Sequence, residues 1–218
     1  MVLPFTVEQF FGVFRAYNEA VWPAQWLLGA LALLALYLAA RPNRWSSRAV
    51  SAILGAFWLW LGLAYHFAHF AAINTLAYAF AAVSVAGGLA FFWFGVARGQ
   101  LHFHFVPRGR GWLGLALVAF ALVAYPAWSV LAGDRYPEFP TFSLPCPTTI
   151  FTVGMLAFLV PPYPRAALVA PVLWCLVGSQ AAFLLGVPQD LGLLVSAAVG
   201  VFLLMRASGA PSARPVAD

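Results

Sequence analysis

Residues 22–69 read WPAQWLLGALALLALYLAARPNRWSSRAVSAILGAFWLWLGLAYHFAH: an uncharged block over 22–40, three arginines close together (Arg41, Arg44, Arg48), then a second block over 49–69 without Asp, Glu, Lys or Arg. Each block is near the ~20 apolar residues that carry an α-helix across a hydrocarbon core. Working outward, the same alternation recurs along the chain and predicts spans at 22–40, 49–69, 74–97, 112–132, 147–160, 166–186 and 188–206. The fold class read from this pattern is all-α: a polytopic membrane helical bundle of about seven transmembrane helices, lying in the lipid bilayer.

Composition agrees. Hydrophobic residues make up 64% of the 218 residues and charged residues only 8%, against roughly 25% charged in a soluble domain. A net charge of +5 does not mark a nucleic-acid partner, because the basic residues, all arginine, sit in short loops between apolar blocks and not on one clustered face. With no lysine in the chain, a retinal Schiff base is excluded. No phosphate-binding loop, nucleophile elbow or His-Glu-x-x-His motif is present, so the sequence leans away from an enzyme and specifies no cofactor. No charged residue lies at the centre of a span, which disfavours ion coupling through a midplane charge.

The loops differ in charge. Arg41, Arg44, Arg48, Arg98, Arg108, Arg110, Arg165, Arg206 and Arg214 fall on one side of a seven-span arrangement, and Arg15 and Arg135 fall on the other with Glu8, Glu19, Asp134, Glu138 and Asp190. By the positive-inside rule the arginine-rich side is cytoplasmic, which puts the N-terminus outside and the C-terminus in the cytoplasm. The division expected is an amphipathic interfacial helix over 1–21, a seven-helix transmembrane domain over 22–206, and a disordered cytoplasmic tail over 207–218. In the first of these, Thr6 and Gln9 have the spacing of a capping box, and Val7, Phe10, Phe11, Phe14 and Tyr17 share one helical face opposite Glu8, Gly12, Arg15 and Glu19. Such a helix lies flat at the headgroup boundary or forms a lid over an external vestibule. Small residues repeat every fourth position in Gly178, Ala182, Gly186 and in Gly192, Ser196, Gly200, a pattern that lets helices approach closely in lipid.

Helices running inward start at polar or proline clusters, among them Pro147 with Thr148 and Thr149, and Pro188 with Gln189 and Asp190. Capping alone accounts for each start separately. If the two starts converge, Cys146, Thr148, Thr149, Gln189 and Asp190 form an outward-facing polar pocket with Glu8, Arg15 and Asn18 as its cover. Cys146 at a helix N-terminus is either a reactive thiol or a small packed group, and Cys175 reads as packing. As metal ligands the sequence offers only His66 and His69, one helical turn apart, and Cys146.

Four stretches, LPFTVEQFFGVFRAYNEAVWPAQ (3–25), INTLAYAF (73–80), FPTFSLPCPTTIFTVG (139–154) and LLGVPQDLGLL (184–194), resemble a family of bacterial multi-pass membrane proteins catalogued only as a domain of unknown function. The resemblance implies fold and location and brings no site residues with it. Three functional expectations follow: a small permease or channel-like protein for a neutral or weakly anionic small-molecule solute; a membrane-embedded redox or metal-handling protein using Cys146; or a structural subunit that assembles as a homo-oligomer or with a partner membrane protein.

Overall fold

The computed structural model describes residues 4–207. Eight helical segments follow one another: α1 (Val7–Ala20), α2 (Ala24–Ala40), α3 (Ser46–Ala72), α4 (Ala77–Ala97), α5 (Gly109–Leu131), α6 (Pro145–Leu156), α7 (Ala166–Leu184) and α8 (Pro188–Arg206). The chain is all-helical, with no strand longer than an isolated bridge among the described residues. Five helices, α3, α4, α5, α7 and α8, are long and apolar enough to cross a membrane; the bent pair α1 and α2, meeting at 87°, makes a sixth if it is taken as one span. The outer surface suits lipid, since Trp26, Leu33, Phe183 and Met205 are all exposed on it. The expected tail over 207–218 lies, except for Ala207, outside the described residues.

The stretch expected as a span over 147–160 is the main departure from seven uniform helices. Its helix, α6, has 12 residues, or about 18 Å at 1.5 Å per residue, short of the ~30 Å hydrocarbon core. From Ala157 the chain turns and extends, and its backbone is paired instead with the α4–α5 loop: His104 N–H donates to Phe158 O at 3.0 Å and Val160 N–H to His102 O at 2.8 Å. Arg110 caps Leu159 O at 2.7 Å. These bonds satisfy backbone groups that lipid could not. Every α6 residue except the half-buried Cys146 is buried, so it is a core helix wrapped by α5, α7 and α8.

Close packing depends on missing side chains. A Cβ on Gly114 of α5 would sit 2.6 Å from Gly154 O of α6, and one on Gly154 would sit 2.8 Å from Gly114 O; the two backbones cross there almost in contact. The Gly192–Ser196–Gly200 stripe of α8 works similarly, with Phe120 against Gly192 and Val172 against Gly200. In the other expected stripe only Gly178 packs this way. Gly186 lies beyond the end of α7 with a φ of 70° and open space around it.

Helix α5 widens to i→i+5 hydrogen bonding over Phe120–Ala124, just before Pro126, whose missing N–H and bulky ring would otherwise break the regular ladder. The two ends of the bundle differ in charge. One end carries α1, Arg15, Arg135 and the acidic residues Glu8, Glu19, Asp134, Glu138 and Asp190; the other carries the remaining eight of the ten described arginines.

Candidate functional site: a cavity beneath the N-terminal helix

Helix α1 begins as its sequence dictates. Thr6 Oγ1 accepts from Gln9 N–H at 3.1 Å while Gln9 Oε1 accepts from Thr6 N–H at 2.8 Å. The turn so fixed points Phe10, Phe14 and Tyr17 inward, where with Phe5 they meet Tyr65 and Phe70 at the end of α3; Phe10 and Phe14 are 4.6 Å apart and Phe5 and Phe70 5.6 Å. This apolar cluster is separate from the main core.

Three groups clasp α1 to the α5–α6 loop. Asn18, fully buried, donates through Nδ2 to Pro137 O at 2.6 Å and Phe139 O at 3.1 Å and accepts from Thr141 Oγ1 at 2.8 Å. Tyr17 OH donates to Ser143, whose carbonyl and hydroxyl lie at 3.1 and 3.0 Å, and accepts from Trp60 Nε1 at 2.6 Å. Burial pushes the Tyr17 hydroxyl pKa up to about 12. On the exposed face, Arg15 pairs with Glu138, and that hydrogen bond raises the guanidinium above its ordinary pKa.

Beneath this cover is a cavity of about 450 Å³, within the roughly 300–1,000 Å³ range of small-molecule sites. Its roof is Phe5, Phe10 and Phe14; its walls include Tyr65, Phe80, Tyr125, Cys146, Trp174 and Gly178. Aromatic and aliphatic carbon dominates, and no Arg, Lys, Asp or Glu is among the lining residues.

The two inward-running helix starts do converge here. Tyr125 OH donates to Asp190 Oδ1, and the Cys146 thiol lies beside the same carboxyl, between it and the cavity. Gln189 Nε2 donates to Ser129 Oγ at 2.8 Å. Asp190 and Gln189 are therefore buried in the wall behind the cavity with their polar atoms engaged, and of the expected pocket set only Cys146 lines it. Thr148 and Thr149 are buried in α6, and their hydroxyls have no hydrogen-bond partner among the described residues. The expected cover is distributed differently: Glu8 and Arg15 point outward and Asn18 is consumed by the clasp, leaving phenylalanines over the cavity. The lining is aromatic, not polar, because Gln189 and Asp190 are engaged by Ser129 and Tyr125 of α5 and the two threonines are buried inside α6.

His66 is buried against Trp174, with ring centroids 4.7 Å apart, and neither of its ring nitrogens has a partner among the described residues. His69 Nδ1 lies 2.7 Å from Ala64 O. Among the described residues no three His, Cys, Asp or Glu side chains gather as a metal ion would require, so His66, His69 and Cys146 do not form such a set. Cys175 is fully buried in the core.

Sequence reasoning missed Tyr125, Trp174, Tyr65 and Phe80. The signal for Tyr125 is present, a hydroxyl within an apolar span immediately before a proline; the other three look like ordinary span aromatics. No curated protein and no solved structure matches the chain. A family model does match residues 7–213, nearly the whole length, and by it the chain belongs to DUF6064, a family of unknown function.

Proposed function

We propose that this protein is a small permease-type membrane protein that binds an uncharged, predominantly apolar small molecule in the cavity beneath α1. One observation carries the reading: an aromatic-lined space of about 450 Å³ with no charged residue on its wall, roofed by an amphipathic helix that the sequence builds separately from the bundle. An anion held there would lose its hydration without gaining a cation, which favours the neutral half of the solutes considered above. At the opposite end the chain is closed by the paired segments around Phe103 and Leu159, both buried. A cavity under a separately built roof at one end and a seal at the other suit a carrier in one of its access states.

The charge division of the two ends supports the orientation: the arginine-rich end cytoplasmic, α1 outside, in a bacterial inner membrane. Reporter fusions after Arg44 and Arg108 are expected to read cytoplasmic, and fusions after Phe70 and Arg135 external; a cytoplasmic reading at Arg135 overturns it.

Binding is tested by thermal unfolding of the purified protein against three solute panels. Uncharged aromatic or aliphatic compounds are expected to raise Tm, while sugars and small anions leave it unchanged. Stabilisation confined to anions contradicts the proposal. Compounds that stabilise are then carried into proteoliposomes, where exchange above empty vesicles distinguishes a permease from a binding protein.

A further inference from the structure

The cavity has a mouth as well as a roof. Leu76 at the start of α4 and Val177 and Leu184 on α7 line it, and all three are exposed, at 61%, 44% and 42%, on the apolar flank of the bundle. The opening between α4 and α7 therefore faces lipid, so its occupant arrives dissolved in the membrane.

One wall atom lacks the partner that burial demands. Trp174 is nine-tenths buried, its ring lines the cavity, and its Nε1 makes no well-formed hydrogen bond among the described residues, the neighbouring Cys146 sulfur being only a weak acceptor. Indole N–H is a donor only, and leaving one unmade in an apolar wall is costly. The space in front of it exists because residue 178 is glycine: a Cβ there would stand 3.0 Å from Nε1. Of the other polar groups of the lining, Tyr125 OH is engaged by Asp190 and Asn74 Oδ1 accepts from Leu76 N–H at 3.1 Å, whereas the Tyr65 hydroxyl and the Gln180 amide, which can each either donate or accept, make no hydrogen bond among the described residues. The missing component is thus an uncharged acceptor, brought by the ligand.

The rest of the lining describes the body of that ligand. Phe10, Phe14, Tyr65, Phe70 and Phe80 present ring faces and edges to the same space, an arrangement that suits a flat ring through offset and edge-to-face contacts. Resting on the binding reading above, we propose that the site takes a membrane-soluble carbonyl compound of the quinone class, its ring among these aromatics and one carbonyl oxygen accepting from Trp174 Nε1, with any alkyl tail leaving between α4 and α7.

The full chain in nanodiscs tests this with two probes of equal shape. Decyl-trimethylbenzoquinone has the carbonyl acceptors, and its fully substituted ring resists addition by the Cys146 thiol; decyl-trimethylbenzene has no acceptor. Saturable binding above empty nanodiscs is expected for both, with the quinone about tenfold tighter, the worth of one well-made hydrogen bond. Trp174→Phe keeps a ring and removes the donor, and Gly178→Ala crowds the donor without removing it. Each is expected to erase the tenfold preference; a mere loss of packing, read from Tm and from the hydrocarbon's own affinity, would weaken both probes together and keep their ratio. Equal affinity for the two probes in the unmodified protein, or a preference that survives Trp174→Phe, overturns the carbonyl assignment and leaves the apolar-ligand reading standing. Absence of saturable binding by either probe overturns both.

Discussion

The two ends of the bundle solve the same problem by different means. At the arginine end, irregular chain is sealed by backbone pairing, with residues 102–104 against 158–160 and Phe105 N–H donating to Ala39 O at 2.9 Å. Around it the helices α5 and α6 cross at Gly114 and Gly154 with no side chain between them. At the α1 end, irregular chain is held by side chains: Asn18, Tyr17 and Thr141 tie the 136–143 loop to a helix that touches the bundle mainly through rings. Backbone pairing has one geometry and no slack, whereas side-chain clasps over a cavity can open locally without unfolding the rest. The difference puts rigidity at the closed end and adjustability over the cavity.

Gly114→Leu breaks the rigid end and carries the largest expected effect. A side chain there meets the Gly154 carbonyl and the Ala157 and Phe158 side chains at once. Overpacking of this kind costs on the order of 3 kcal/mol, so the yield of monodisperse protein in detergent is expected to collapse. Gly29→Leu, at a position with nothing within 4 Å, is the matched control and should leave size-exclusion profile and Tm unchanged.

Asn18→Ala comes second, at the other end. Three hydrogen bonds to the 136–143 loop are lost, and the half-buried carbonyls of Pro137 and Phe139 are left without this donor, at about 1 kcal/mol each. Limited proteolysis should cut within residues 136–143 far faster than in the parent, while the bundle helices stay protected. If the bundle and the loop became sensitive together, the proposed local adjustability of the α1 end would be wrong.

Much of this architecture is legible in the sequence. The capping box at Thr6 and Gln9, the inward aromatic face of α1 and the five long helices follow from periodicity and apolar length, and the observed bounds lie within a few residues of those expected. Helix α6 is not legible in the same way. Pro147 to Val160 carries no charge, and a predominantly hydrophobic run of fourteen residues looks alike whether it is a helix throughout or a helix followed by extended chain; only the distant partners His102 and His104 decide. The convergence of the Pro147 and Pro188 helix starts is readable as a possibility from their common direction. The character of the cavity is not, because its wall is assembled from Phe10, Tyr65, Phe80, Tyr125 and Trp174 on five different helices, and nothing local in the sequence records that those rings share a space.

Tyr17→Phe probes the clasp through pH. The hydroxyl titrates at about 12 in the folded protein and near 10 in the unfolded chain. Because the folded state keeps its proton longer, the stabilisation is complete below pH ~10 and is lost as pH rises toward ~12, by at most about 2–3 kcal/mol over that window. Phenylalanine should lower stability at neutral pH, since Trp60 Nε1 loses its acceptor, and should flatten the alkaline decline measured by thermal unfolding. A variant that keeps the full decline would assign it to other groups.

Arg15→Gln is expected to do least, although Arg15 and Asn18 are one helical turn apart on α1 and both reach the same loop. The Arg15–Glu138 pair lies in the open, its two side chains 57% and 45% exposed, where solvent and salt screen the attraction and ordering two long side chains offsets most of it. Asn18 makes its bonds where no water competes. Charge is therefore a poor guide to what holds α1 down, and Tm for Arg15→Gln should stay within experimental scatter of the parent, at low and at high salt alike. A clear, salt-dependent drop in Tm would show the opposite: that the roof over the cavity is latched electrostatically from outside, and that its opening responds to ionic strength.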